Sequence, residues 1–353
     1  MYEGYITDIK GIKIGHSENL KAGTGLTVLI PPANNTCSVE VRGSAPGTRE
    51  TDLLDPINSV ESVNAIILSG GSAYGLDAAS GVMHALEKDG LGFDVGVCKV
   101  PIVSQAVLFD LAYKDWKIRP DEKMGEIAYK NANENENRQG IIGAGTGATV
   151  GKILGMENAM KSGLGSASIK EKDLIVAAIV VVNAFGDIYD YEKQIQIAGP
   201  KVDGKILKTL DIMPKTMIDF TSFANKNTTI GIIATNAKFD KTRLKKISQM
   251  AHDGFARSIN PVHTGFDGDT IFALSTNEIN SDLNLVGALA AKVVSRAIAN
   301  AIYASVSKNG INSKWKFILR CYYNHIELLR TTKSDKKINF IEKIIILYKK
   351  ILT

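Results

Sequence analysis

From residue 1 to residue 310, short apolar runs alternate with longer stretches in which apolar residues recur every three or four positions. The first pattern reads as strands and the second as amphipathic helices, and their alternation predicts a layered α/β fold. Strands are expected at 25–30 (GLTVLI), 65–68, 174–182 (LIVAAIVVV), 229–235 (TIGIIAT) and 270–275. The run at 174–182 has no polar alternation, as in a strand covered on both faces. Helices are expected at 74–88, 241–259 and 282–306. In the second, Leu244, Ile247, Ala251, Phe255 and Ile259 form one stripe. Ser281 or Asp282 is a suitable N-cap for the third. The Asn/Glu-rich stretch 129–139 reads as an exposed loop, and the polar patch 222–227 (SFANKN) runs straight into the strand at Thr229.

Composition changes the picture at one end. After Gly310 the chain becomes rich in Lys and Ile and nearly loses Gly and Ala, with ten Lys and Arg against three acids over 311–353. That excess is larger than the net +5 of all 353 residues, so the preceding 310 residues are slightly acidic and carry no nucleic-acid signature. The tail reads either as an appended amphipathic helix that meets an acidic surface or as out-of-frame AT-rich sequence. The expected organisation is one catalytic domain over 1–310 and an atypical basic tail over 311–353. Three scattered cysteines (Cys37, Cys98, Cys321) suggest no disulfide framework. No uninterrupted apolar run of about 18 residues is present. The expectation is a cytoplasmic protein without membrane or nucleic-acid partners.

Several segments invite chemistry and resist it. In 143-GAGTGATVGK-152 the spacing needed for a phosphate loop is missing, so a turn-rich loop with close backbone approach is expected. In 70-GGSAYG-75, Ser72 lies near the place of an elbow nucleophile, but the final Gly comes one residue late. The better reading is a helix-start loop whose N–H groups can hold an anion. Asp110 and His252 would complete a Ser-based triad only by arbitrary choice, and His252 reads as a solvated or packing histidine. The five histidines show no metal spacing, and 267-DGD-269 lacks the other ligands of a Ca²⁺ loop. No metal and no cofactor are expected.

The junction 225-NKNTTIGIIATNA-237 is the most informative. Its threonines fit a strand start on β-propensity alone. They also fit a nucleophile: were the bond before Thr228 cut, the freed α-amine, with an ordinary pKa of roughly 7.7–8.0, would serve as base for the hydroxyl of the same residue.

With these segments in place the chain resembles the L-aminopeptidase/D-esterase family, which includes β-peptidyl aminopeptidases and a pantetheine hydrolase. The resemblance spans residues 4–310. It rests on 6-ITDIKGIKIGH-16, 42-RGSAPGTRETDLLDP-56, 68-LSGGSAYGLDAASGVM-83, 100-VPIVSQAVLFDL-111, 141-IIGAGTGATVGK-152, 181-VVNAFGD-187, 227-NTTIGIIATNA-237 and 250-MAHDGFARSINPVHTGFDGDTIFALST-276. The resemblance implies a four-layer α/β/β/α sandwich like that of N-terminal-nucleophile hydrolases. It implies self-cleavage between Asn227 and Thr228 into fragments 1–227 and 228–353, with Thr228 as nucleophile and Thr229 assisting. Asn183 is implied as oxyanion donor, and Asp267 and Asp269 as the pair beside the nucleophile, with Asp269 holding its ammonium. The implied substrates are small peptides or peptide-like amides and esters, cut through an acyl-enzyme by a homo-oligomer of cleaved units. Acyl transfer of the ornithine acetyltransferase kind, and a non-catalytic binding role, are the alternatives. Two departures stand out: V-P-I-V-S at 100–104, where the family usually ends in Pro, and the residues after 313, which match nothing in it.

Overall fold

The computed structural model describes residues 1–215 and 227–305. The tail over 311–353 therefore lies outside the described residues, as does most of the polar patch 222–227. Two five-stranded sheets form the centre. The first has the order Lys13–Asn19, Thr24–Ile30, Ala65–Ser69, Val103–Val107, Gly47–Arg49. The second runs Leu164–Glu171, Leu174–Asn183, Thr228–Ala237, Thr270–Ile279, Thr36–Val41. Each sheet is antiparallel apart from one parallel pair, Ala65–Ser69 with Val103–Val107 in the first and Thr228–Ala237 with Thr270–Ile279 in the second.

The apolar run of Leu174–Asn183 explains the layering. Side chains alternate across a strand, and Val176, Ala178, Val180 and Val182 pack toward the helices Lys241–Ser258 and Leu283–Tyr303. Ala177, Ile179 and Val181 pack against the first sheet, together with Leu29, Ile66 and Leu68. The outer face of the first sheet is covered by the helices Ala78–Lys88 and Glu122–Lys130 through Val28, Ile67, Val82 and Ala128. The result is the α/β/β/α sandwich.

Local chemistry sets the helix ends. Asp240 accepts from Arg243 N at 2.8 Å and Asp282 accepts from Leu285 N at 3.0 Å, each cap contributing about 1 kcal/mol. The predicted stripe Leu244, Ile247, Ala251, Phe255 and Ile259 is buried throughout, and each large side chain in it contributes roughly 1.5–3 kcal/mol. By length and composition Leu283–Tyr303 is apolar enough to cross a membrane, but 72% of that stretch is buried inside the fold. It is a core helix.

Two readings need correction. The helix expected from residue 74 begins as α-helix only at Ala78, because Ser72–Asp77 forms a tighter 3-10 turn. Gly71, with φ +85°, opens that turn and donates its N–H to Asp110 Oδ1 at 2.7 Å. Tyr129 and Lys130 of the supposed 129–139 loop close the helix Glu122–Lys130.

Candidate active site

The site forms where two central strands of the second sheet end together. Register pairs Asn183, the last residue of its strand, with Thr228, the first of the next. Both positions share the alternation that points Ile179, Val181, Ile230 and Ile232 between the sheets, so the two buried side chains meet the inter-sheet layer. The turn 267–269 sits alongside. Asn227 bridges Asp267, and Gly268 N donates to Asn227 O at 3.2 Å. A Cβ on Gly268 would lie 2.7 Å from Ala45 O and 3.0 Å from Thr228 Oγ1, so this close approach requires glycine.

The Thr228 hydroxyl donates to the carbonyl oxygen of Asn227, the residue just before it. That oxygen therefore receives both a hydroxyl and the Gly268 amide. Asp269 Oδ1 accepts from Thr229 N at 2.7 Å, and Oδ2 accepts from the His263 backbone N at 3.2 Å and lies 2.8 Å from its Nδ1. Asp267 Oδ2 accepts from Thr264 N and Thr264 Oγ1 at 2.8 and 2.7 Å. Among the described residues the Thr229 hydroxyl and the Asn227 side-chain amide have no hydrogen-bond partner.

Asn183 is held from both sides. Its Oδ1 accepts from Lys152 Nζ at 2.8 Å and from Thr149 N at 3.1 Å, and its Nδ2 donates to Phe109 O at 2.9 Å. Lys152 also donates to Asn183 O at 3.0 Å. Burial pushes the Lys152 ammonium down to about 7, against the pull of Asp267 and Asp110. Burial, and then the neighbouring Asp269, push the Asp267 carboxyl up to about 6. A buried base and a buried acid, both shifted toward neutrality, thus lie beside the Thr228–Asn183 pair. A cleft of about 160 Å³ opens here, lined by Phe109, Asp110, Tyr113, Thr149, Lys152 and Asn227 among others. The buried Tyr113 hydroxyl has no hydrogen-bond partner among the described residues.

All six residues implied by the resemblance, Asn183, Asn227, Thr228, Thr229, Asp267 and Asp269, come together. Two details differ from expectation. Asp269 contacts the amide of Thr229, one residue beyond the nitrogen it was expected to hold, because the turn aligns it with the second residue of the strand. One N–H of Asn183 is directed to Phe109 O, leaving the other for any oxyanion. The Ser72 reading falls: Asp110 holds Gly71 N and accepts from Thr24 Oγ1 at 2.7 Å, and His252 is buried against Glu40 O. The N–H of Ser72 is taken by Leu108 O, so the anion held by this loop is the chain's own Asp110. His252 is a packing histidine, not a solvated one.

Sequence reasoning missed Lys152, Tyr113 and His263. A signal existed for the first: a lysine ending the glycine-rich run 143–152, which is otherwise empty of charge, is rarely buried without a polar task.

Comparison with known proteins agrees with this architecture. A 38% identical relative is described as an uncharacterized aminopeptidase from Mycobacterium leprae; the match covers 87% of this chain and 92% of the relative. A 6-aminohexanoate-oligomer endohydrolase from Agromyces is 32% identical, covering 77% of this chain and 75% of that one. Among solved structures, the L-aminopeptidase D-Ala-esterase/amidase of Ochrobactrum anthropi, described as a variant of the Ntn hydrolase fold, superposes with a TM-score of 0.64 at 18% identity, covering 90% and 94% of the two chains. A β-aminopeptidase from Burkholderia gives a TM-score of 0.62 at 19% identity, covering 89% and 92%. The model of peptidase family S58 matches residues 4–315, and the chain belongs to that family of aminopeptidase-type hydrolases.

Proposed function

We propose that the chain cuts itself between Asn227 and Thr228 and then hydrolyses small amides through an acyl-enzyme on the Thr228 hydroxyl. One observation carries the reading: the Thr228 hydroxyl sits on the carbonyl it would attack, and the Gly268 N–H already donates to the same oxygen. Attack by Oγ1 on the Asn227 carbonyl carbon places negative charge on that oxygen, where Gly268 stabilises it. Collapse breaks the C–N bond, the Thr228 nitrogen takes the proton, and the acyl group rests on Oγ1 as an ester. Water then hydrolyses the ester, leaving a carboxylate on Asn227 and a free amine on Thr228.

In the cut protein that amine is the base for its own hydroxyl. The second Nδ2–H of Asn183 serves the oxyanion of the substrate, and Lys152 fixes the amide from behind. The cleft has room for an acyl unit about the size of one amino-acid residue, between the apolar faces of Phe109, Ala112, Tyr113 and Met156. The amide-cutting relatives named above support the same reaction class.

Intact mass measurement and N-terminal sequencing test the reading. Wild type should give fragments 1–227 and 228–353 that co-purify, the smaller beginning Thr-Thr-Ile-Gly. Thr228→Ala should stay whole and inactive, and Thr228→Ser should still cut. Active enzyme that remains a single chain would sink the mechanism.

A further inference from the structure

We propose that His263 is a positioning residue for the nucleophile, acting through Asp269. The inference rests on the self-cleaving reading above and assigns the group that holds its geometry. Asp269 Oδ2 takes two contacts from His263, the backbone N–H and the ring Nδ1, while Oδ1 takes the amide of Thr229. A carboxylate accepts only, so Nδ1 is the protonated ring nitrogen in this network. Nε2 is buried and makes no hydrogen bond among the described residues.

The ring is fixed by packing. It lies 4.9 Å from the His252 ring in a T-shaped arrangement and 6.1 Å from the Phe255 ring. Both partners belong to the helix Lys241–Ser258 and are fully buried. His263 itself holds φ +53°, a left-handed backbone uncommon for a residue with a side chain, which aims the ring and the backbone N–H at one oxygen. Rigid helix, ring, carboxylate and Thr229 amide form one continuous line. The Thr229 amide shares its peptide plane with the carbonyl of Thr228. Fixing that plane fixes the backbone from which the nucleophilic hydroxyl projects, and misplacement of such a group by about 1 Å costs roughly a hundredfold in rate.

The test compares His263→Asn with His263→Leu. Asn carries an N–H near the place of Nδ1 and tolerates the left-handed backbone; Leu keeps much of the bulk without a donor. Self-cleavage is followed by intact mass on freshly synthesised chain, and kcat and KM are measured on the mature enzyme. The Leu variant should cut itself roughly ten- to a hundredfold more slowly and lose a similar factor in kcat with KM nearly unchanged. The Asn variant should keep most of both rates. In the uncut Thr228→Ala background, hydrogen exchange at the Thr229 amide should quicken with Leu and stay slow with Asn. Equal defects in Asn and Leu, or wild-type rates in Leu, would overturn the proposal. If Leu does not fold, His263→Gln, whose amide extends past the Nδ1 position, replaces it with the same expectation. If wild type itself stays uncut, self-cleavage is wrong, and exchange at Thr229 still decides whether His263 sets the contact.

Discussion

Replacing Lys152 by Met should stop self-cleavage while stabilising the uncut chain at pH 6. The reason is the penalty on a buried ammonium. Burial lowers Lys152 from its ordinary 10.5 to about 7, a destabilisation of about 5 kcal/mol when both folded and unfolded chains hold the proton. Met removes that penalty at similar volume. It also removes the hydrogen bonds to Asn183 Oδ1 and Asn183 O, which costs about 1–3 kcal/mol because these acceptors are buried. The attraction between Lys152 and Asp267 is already contained in the lowering to about 7. A net gain of about 2–4 kcal/mol remains. The pH dependence carries its own sign. Between pH 7 and 10.5 the unfolded lysine binds the proton and the folded one does not, so wild-type stability rises with pH. The advantage of Met should therefore shrink by about 1.4 kcal/mol per pH unit across that window. Urea unfolding of both chains in the Thr228→Ala background, at pH 6, 8 and 9, measures this without interference from the cut. A Met chain less stable than its parent at pH 6, or one that cuts itself at the parental rate when Thr228 is present, would refute the reasoning.

His252 offers an independent check on burial. Its imidazole is pushed down to about 3 by desolvation and hydrogen-bonds Glu40 O at 3.1 Å. The unfolded ring takes a proton below about 6.5, so its contribution is present above that pH and is lost as pH falls toward 3. Relative to His252→Gln, wild type should lose about 1.4 kcal/mol per pH unit between pH 6 and 4, read from denaturant midpoints. Truncation after Ser313 should leave activity per folded molecule nearly unchanged, since every candidate site residue lies before Gly310 and the family match ends at 315; a folded but inactive truncation would make the basic tail part of the enzyme.

The strands were legible because their signal is local and continuous. Leu174–Asn183 and Thr228–Ala237 extend the predicted runs by one to three residues, and their burial on both faces follows from the absence of polar alternation. The 3-10 turn Ser72–Asp77 was not legible, since it depends on Asp110, 39 positions from Gly71, accepting the N–H of that glycine. At the site the residue set was readable through the resemblance, but not the wiring. Which oxygen of Asp269 meets which amide is fixed by how the 267–269 turn lies against Asn227. His263 carries no local motif and Lys152 only its place as the one charge in the glycine-rich run 143–152; their partners are set only when the second sheet brings the ends of its strands together.

The same sheet explains how the fold can sustain a cut at its own centre. Thr228–Ala237 and Thr270–Ile279 would belong to the smaller fragment, yet they lie between Leu174–Asn183 on one side and Thr36–Val41 on the other. Breaking the bond before Thr228 removes one covalent link and leaves the ladders on both flanks intact. The outer contacts also span the two pieces. Tyr2 N donates to Asn300 Oδ1 at 2.7 Å, and the hydroxyls of Tyr2 and Tyr303 both donate to the Asp190 carboxylate. A new amine at Thr228 would therefore emerge on a strand still paired to Asn183, with Asp269 still on the next amide. Self-cleavage at a loop tip would free a mobile end. At the start of a central strand it would yield a nucleophile whose position is set before the bond breaks, and the buried Lys152 and Asp267 would be the energetic cost of building that position into the core.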